Sequence, residues 1–328
     1  YTMPYQKELN IALAAVEKAM KLSLCVERRL KKISVIEKQD RSPVTIADFG
    51  SQAVINMLVV EAFPEDVVVG EETAENLRND QNLSNQVLEL VRYAGLTATP
   101  NRIITCIGSS TESAAFSDRF WVVDPIDGTK GFLRGDQYAI ALGLVEQGEV
   151  VLGVLGCPNL PARLDRPEDE IGCILYATKG SGTWMRIFQS KADLRVFVDS
   201  VADSRCAKFC ESFEKAHAAH ETHQRILASL GITTASLRMD SQVKYAAVAR
   251  GDASIYLRLP RKKDYQEKIW DHAPGSIIVK EAGGEVTDFK GRALDFSTGK
   301  TLRNNSGIVA TNGHLHRRVL DAISRVIN

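Results

Sequence analysis

Apolar residues recur at Leu9, Leu13, Val16, Met20 and Leu24 with Lys, Glu and Arg between them. That spacing predicts an amphipathic helix over Leu9–Leu30, one face laid on the body of the protein. A second helix is expected from Ile46 to Ala62, with Thr45 as N-cap and Asp48 at the third helical position, where capping carboxylates belong. Val67–Gly70 and Phe120–Val123 are short apolar, β-branched runs that read as buried strands. Between them lies a polar, Asn-rich excursion with one helix candidate, Asn82–Tyr93. Gly108–Asp118, rich in Ser and Thr, reads as a flexible lip of a cleft.

From Gln137 the alternation predicts a β-meander. Tyr138–Val145 and Val150–Cys157 flank one hairpin turn, and Gly172–Thr178 and Thr183–Ile187 flank another. Cys157 and Cys173 would then face each other on neighbouring strands, as core thiols or, more sharply, as a regulatory disulfide. The charged Asp165–Asp169 loop is expected to have a disordered tip. After about Ser190 strand-like and helix-like segments alternate: Leu194–Val198, Ser236–Met239, Ile255–Leu259, Gly284–Thr287 and Gly307–Ala310 suggest a mostly parallel sheet. The division expected is therefore an N-terminal α+β unit, residues 1–190, and a C-terminal α/β unit, residues 191–328.

Composition narrows the partners. Lys plus Arg (41) equals Asp plus Glu (41), so no overall field draws the chain to nucleic acid or to a membrane. No apolar run approaches a membrane span and no signal peptide is visible. Six scattered Cys without a C-x-x-C pair suit a reducing compartment. A cytoplasmic protein is expected, with Tyr1-Thr2 ahead of Met3 leaving room for a longer precursor with an organellar address.

The candidate chemistry sits after the strand Phe120–Val123, in Asp124-Pro-Ile-Asp127-Gly-Thr129. Asp124-Pro125 is expected to break the strand, and Asp127-Gly128 to force a tight turn. Two carboxylates and the Ile126 carbonyl make a set of hard oxygen donors of the kind Mg²⁺ prefers. The N–H groups after Gly128 are left to cradle an anion. Metal and phosphate on one loop point to metal-assisted phosphate hydrolysis. Glu71-Glu72 ends the Val67–Gly70 strand, a pair of acids that repel unless a cation stands between them. Asp240-Ser241-Gln242-Val-Lys244 joins a strand to a helix and offers a hydroxyl, free N–H groups and a Lys, a ready anion pocket. The histidines at 217, 220 and 223 invite a zinc reading, but His223 is rotated away from His217 and no further ligand closes the set. Ser297-Thr-Gly299-Lys300-Thr301 mimics the end of a P-loop without its leading glycine or strand, and reads as a loop.

Asp124-Pro-Ile-Asp127-Gly-Thr129 resembles the signature of the lithium-sensitive, Mg²⁺-dependent phosphomonoesterases of the inositol monophosphatase superfamily. Lys130-Gly-Phe-Leu-Arg-Gly-Asp-Gln-Tyr138 and the Asp-Ser-Gln-x-Lys-Tyr run are similar to those of its 3'(2'),5'-bisphosphate nucleotidases, over about Ser42–Asn312. The resemblance implies an α/β/α/β/α layered sandwich in two domains. It implies two or three Mg²⁺ held by Glu71, Asp124, the Ile126 carbonyl, Asp127 and Asp271, with Glu72 just outside. Asp48 and Thr129 would orient and deprotonate the attacking water. Gly128 and Thr129 would meet the phosphate, His217 the base, and Ser241, Lys244 and Arg258 the ribose and second phosphate. The substrate implied is 3'-phosphoadenosine 5'-phosphate, with 3'-phosphoadenylyl sulfate open, for a monomer or weak dimer. The rivals are an inositol (poly)phosphate 1-phosphatase and a catalytically silent nucleotide sensor. Ile269-Trp-Asp271-His272-Ala-Pro274 resembles the second signature, with Pro274 where a small residue is usual; a first-turn proline is tolerated there.

Overall fold

A computed structural model of the chain describes residues 4–33, 43–108, 118–213, 217–260 and 265–327. Helices α1 (Gln6–Ile33) and α2 (Pro43–Ala62) precede strand β1 (Val67–Gly70) and the short helices α3 (Glu75–Asn79), α4 (Gln81–Tyr93) and α5 (Pro100–Gly108). Strand β2 (Arg119–Asp127), helix α6 (Thr129–Arg134) and strands β3 (Ala139–Glu146), β4 (Glu149–Pro161), β5 (Ile171–Thr178), β6 (Thr183–Ile187) and β7 (Asp193–Arg195) follow. These seven strands form one sheet in sequence order, with β1 and β2 parallel and every later pair antiparallel.

The β3–β4 turn places Gln147 and Gly148 both at positive φ, the geometry that matches the right-handed twist of a two-residue hairpin. The expected strand Leu194–Val198 proves to be the edge of this first sheet, not part of the second. Residues 165–169 form consecutive turns, with Arg163 bonded to Asp165 through Nη2 at 2.7 Å, where a disordered tip was expected.

The second sheet comprises β8 (Phe209–Glu211), β9 (Leu237–Arg238), β10 (Ile255–Arg258), β11 (Glu285–Thr287) and β12 (Ile308–Thr311), in the order β11-β12-β10-β8-β9. It is mixed, which corrects the parallel expectation. β8 is parallel to β9 and β10, but β12 is antiparallel to both β10 and β11. The reason is topological: β10 and β11 are joined through helix α9 (Ala273–Glu281), whereas β11 returns to β12 through a loop with no helix, and such a return runs antiparallel. The Ser297–Thr301 stretch lies in that loop, with Thr298 Oγ1 bonded to the Thr301 carbonyl at 2.6 Å.

Alternation along the strands builds five layers. Trp121, Val123, Ile140 and Leu142 meet Leu9, Val16, Met20 and Ile55 of α1 and α2 on one side of the first sheet. Val122, Ala141, Leu155 and Leu175 point the other way, toward α8 (Val243–Ala249) and α9. Those two helices also receive Tyr256, Ile308 and Ala310 from the second sheet. Its opposite face, Phe209, Ile255, Leu257 and Val309, is closed by α7 (His217–Leu230) and α10 (His316–Ile327). The molecule is an α/β/α/β/α sandwich, and every residue of α8 is buried.

The inner layer is close-packed. A Cβ on Gly153 would stand 2.6 Å from both Ile277 Cγ2 and the Pro274 carbonyl. We expect Gly153→Ala to cost about 1–3 kcal/mol, the usual range for overpacking a core, read as a shift of the urea midpoint with no change in slope. Pro274 is accommodated in the first turn of α9. Cys157 and Cys173 pair directly across β4 and β5 as free, buried thiols. Burial pushes both upward, Cys173 to about 11, so little reactive thiolate exists at neutral pH. Among the described residues no helix is long and apolar enough to cross a membrane.

Candidate active site

The first correction concerns the start of α2. The helix begins at Pro43, two residues ahead of the expected cap, because proline pre-sets the helical φ and its missing N–H is not needed there. Thr45 is thus inside the helix, its side chain outside the described residues, and Asp48 stands in the second turn with no capping task. Its carboxyl is buried nevertheless. Burial raises its pKa well above the ordinary value, and the charges of Glu72 and Glu71 raise it further.

The second correction concerns β2. The strand does not end at Pro125 but runs on to Asp127, with its register shifting between Asp124 and Asp127. Pairing with β1 stops at Val123, so beyond it the strand has only one partner and a residue without an N–H is tolerated. The bulge carries Asp124, Ile126 and Asp127 to the wall of one cavity of about 580 Å³. Gly128, at φ 90°, turns the chain into α6; a Cβ there would stand 2.8 Å from Ser241. Both features require glycine.

Glu71 reaches the same cavity from the end of β1, and Asp271 from the 3-10 turn Ile269–Asp271 ahead of α9. The backbone of Glu72 is clasped by Gln52 of α2, which donates to the Glu72 carbonyl (2.8 Å) and accepts from its N–H (3.0 Å). Sequence reasoning missed Gln52, since an amide's partners are tertiary. Desolvation, then the charges of Asp271 and Glu72, push Glu71 up to about 7. Burial and Asp271 push Asp127 to about 6. Burial raises Asp124 well above its ordinary value, with Asp127, Glu71, Asp271 and Asp48 adding to it. Asp124 Oδ1 is buried without a hydrogen-bond partner among the described residues. Acids that repel one another around a common space, one with an orphaned oxygen, are what a hard divalent cation satisfies. The residues present fit such a cation.

Thr129, Ser241, Lys244 and Arg258 line the cavity too, and Lys130 and Lys268 add positive charge to its lining. Lys244 is buried, its Nζ donating to the Ser241 carbonyl at 2.8 Å, and burial lowers its pKa. Arg258 gives Nε to Glu267 (2.8 Å) and Nη2 to Asp271 (2.8 Å). His272, which accompanies Asp271 in the second signature, is buried and links Tyr245 Oη (2.8 Å) to Glu267 (3.2 Å). Ligand atoms of Glu267, Asp271 and His272 lie within 4.8 Å of one another, but the Arg258 guanidinium already supplies their positive charge.

His217 opens α7, with its side chain outside the described residues. His223, two turns on, lines the cavity with its ring edge-on to Phe209 at 5.4 Å. Residues 109–117 of the expected lip also lie outside the described residues. Arg134 pairs with Asp240, which lines the cavity, and its guanidinium stands 5.8 Å over the exposed Phe213 ring.

The inositol monophosphatase family profile matches residues 5–328. A 3'(2'),5'-bisphosphate nucleotidase of Schizosaccharomyces pombe is 41% identical over 341 residues, covering 99% of this chain and 97% of that one. The 3'(2'),5'-bisphosphate nucleotidase 1 of Arabidopsis thaliana is 44% identical over 341 residues, covering 98% and 96%. The IMPase of Thermotoga maritima superposes with a TM-score of 0.64 over 98% of each chain at 22% identity, a likeness of fold.

Proposed function

The chain belongs to the inositol monophosphatase family, and we propose that it hydrolyses the 3'-phosphate of adenosine 3',5'-bisphosphate to give AMP and inorganic phosphate. It is a phosphomonoesterase, as its relatives named for that reaction are. The observation that carries the reading is one cavity lined both by Glu71, Asp124, Asp127 and Asp271 and by Ser241, Lys244 and Arg258. A substrate with two phosphates, one to be cleaved beside the acids and one to be held by the hydroxyl and basic groups, matches a lining that carries both kinds of residue.

Glu71, Asp124, the Ile126 carbonyl, Asp127 and Asp271 would hold two or three Mg²⁺, with Glu72 behind them. When bound, the ions supply positive charge that lowers the pKa of water and offsets charge on the entering and leaving oxygens. Asp48, with its raised affinity for protons, takes the proton of the attacking water, and the Thr129 hydroxyl orients that water. The water oxygen bonds to phosphorus as the bond from phosphorus to the ribose 3'-oxygen breaks, and the departing 3'-oxygen takes a proton from solvent water to leave as the hydroxyl of AMP. Gly128 and Thr129 receive the phosphate. Ser241, Lys244 and Arg258 grip the ribose and the 5'-phosphate, and the base lies toward the start of α7, where His217 stands.

Phosphate release from adenosine 3',5'-bisphosphate, 3'-phosphoadenylyl sulfate and inositol 1-phosphate, each with Mg²⁺ and with EDTA, tests this. We expect the bisphosphate to exceed inositol 1-phosphate at least about 100-fold in kcat/KM, some 2.7 kcal/mol of discrimination, with release abolished by EDTA. Preference for inositol 1-phosphate would make the chain an inositol phosphatase. Nucleotide binding without release would make it a sensor.

A further inference from the structure

Gln242 is buried in the seam between the two sheets and has no part in the reaction described above. It follows Ser241, which takes a left-handed backbone (φ 62°), an uncommon conformation for a side-chain-bearing residue. That twist goes with a Gln242 N–H that donates to Asp127 Oδ2 at 2.6 Å. The side-chain amide faces the other way. Its Nε2 donates to the Trp270 carbonyl at 2.8 Å, one residue before Asp271, and its Oε1 accepts from the Gly275 N–H at 3.2 Å. One residue thereby touches Asp127 at the end of β2 and the main chain on both sides of Asp271 at the entry to α9.

We propose that Gln242 is a positioning residue that fixes Asp127 and Asp271 relative to each other before any ion arrives. The inference rests on the reading of those two acids as metal ligands. Their charges repel, so without a tie they would relax apart in the ion-free protein, and binding would have to draw them together again. Only an amide of this length meets both demands. Trp270 offers an acceptor and Gly275 a donor, so methionine fills the volume but answers neither. Asparagine keeps the amide and falls one methylene short.

The test uses the full chain stripped of metal, with Gln242→Met and Gln242→Asn. Calorimetric titration with Mn²⁺ in the absence of substrate is the primary readout. Thermal midpoints in EDTA, and Mg²⁺ dependence and KM for adenosine 3',5'-bisphosphate, accompany it. We expect the Mn²⁺ Kd to weaken at least tenfold in Gln242→Met and severalfold in Gln242→Asn. The half-saturating Mg²⁺ should rise in step, while kcat and KM at saturating Mg²⁺ stay within threefold of wild type. A Mn²⁺ Kd within twofold of wild type, with only the thermal midpoint lowered, would reduce Gln242 to a core residue and overturn the inference. Should Gln242→Met not fold, the Gln242→Asn titration decides on the same terms. Wild-type protein that binds no Mn²⁺ would overturn the ligand reading itself, and this inference with it.

Discussion

Asp127→Asn should lower kcat for adenosine 3',5'-bisphosphate by at least about 10³-fold, some 4 kcal/mol of barrier, while the protein stays folded. The fold survives because the bond that Asp127 Oδ2 accepts from the Gln242 N–H at 2.6 Å can be kept by an amide oxygen. What is lost is a negative charge facing the cavity, the part of the side chain that attracts a cation. Steady-state kinetics beside circular dichroism checks both halves of the expectation. Near-normal turnover at saturating Mg²⁺ would remove Asp127 from the ligand set.

The second result expected is a metal-free protein that weakens as pH rises through the range where most folded proteins are steady. Desolvation and mutual repulsion hold Glu71 near 7 and Asp127 near 6, and Asp124 and Asp48 well above their ordinary values. A carboxyl whose pKa is higher folded than unfolded binds protons more tightly in the native state. Its contribution is therefore complete at low pH, and it is lost as pH passes from the ordinary carboxylate range through the folded value. Buried His316, its pKa lowered chiefly by desolvation, works in the opposite direction. Comparison with Asp127→Asn cancels that background. In EDTA the variant should melt above wild type at about pH 7.5 and the gap should close toward about pH 5, with Mg²⁺ erasing it at the higher pH. A constant gap across that range would mean the acids do not repel in the folded state. Stability spent on a functional cluster is a common exchange at active sites.

How much of this could be read from the residues depends on where their partners lie. The helix at the start of the chain, the β-meander and the acid-rich stretch after Val123 are local patterns, so periodicity and side-chain chemistry exposed them. Asp48 was ambiguous for a local reason: beside Thr45 it looked like a cap, and only the earlier start of α2 at Pro43 removed that task. Pro125 misled because its effect depends on whether the strand has a neighbour there, which is a property of β1 ending at Gly70. The mixed second sheet was hidden because alternation of strand and helix leaves the direction of β12 open. Gln52, Gln242 and Glu267 left no local trace at all. Gln52 holds the backbone of Glu72, Gln242 reaches Asp127, Trp270 and Gly275, and Glu267 takes Arg258 and His272; neutral amides and buried carboxylates carry no pattern of their own.

The helix pair between the sheets has a consequence for the chain as a whole. Because α8 and α9 present apolar side chains to both neighbours at once, neither half has a finished surface on its inner side. A fragment ending between Arg195 and Phe209 would leave a bare hydrophobic slab, and its complement would carry helices with nothing on one flank. Such an architecture resists modular exchange: recombination could not transplant the C-terminal half without the partner that completes it. Lineages of this design are thus expected to diversify by altering loops at the rim, rather than by shuffling halves.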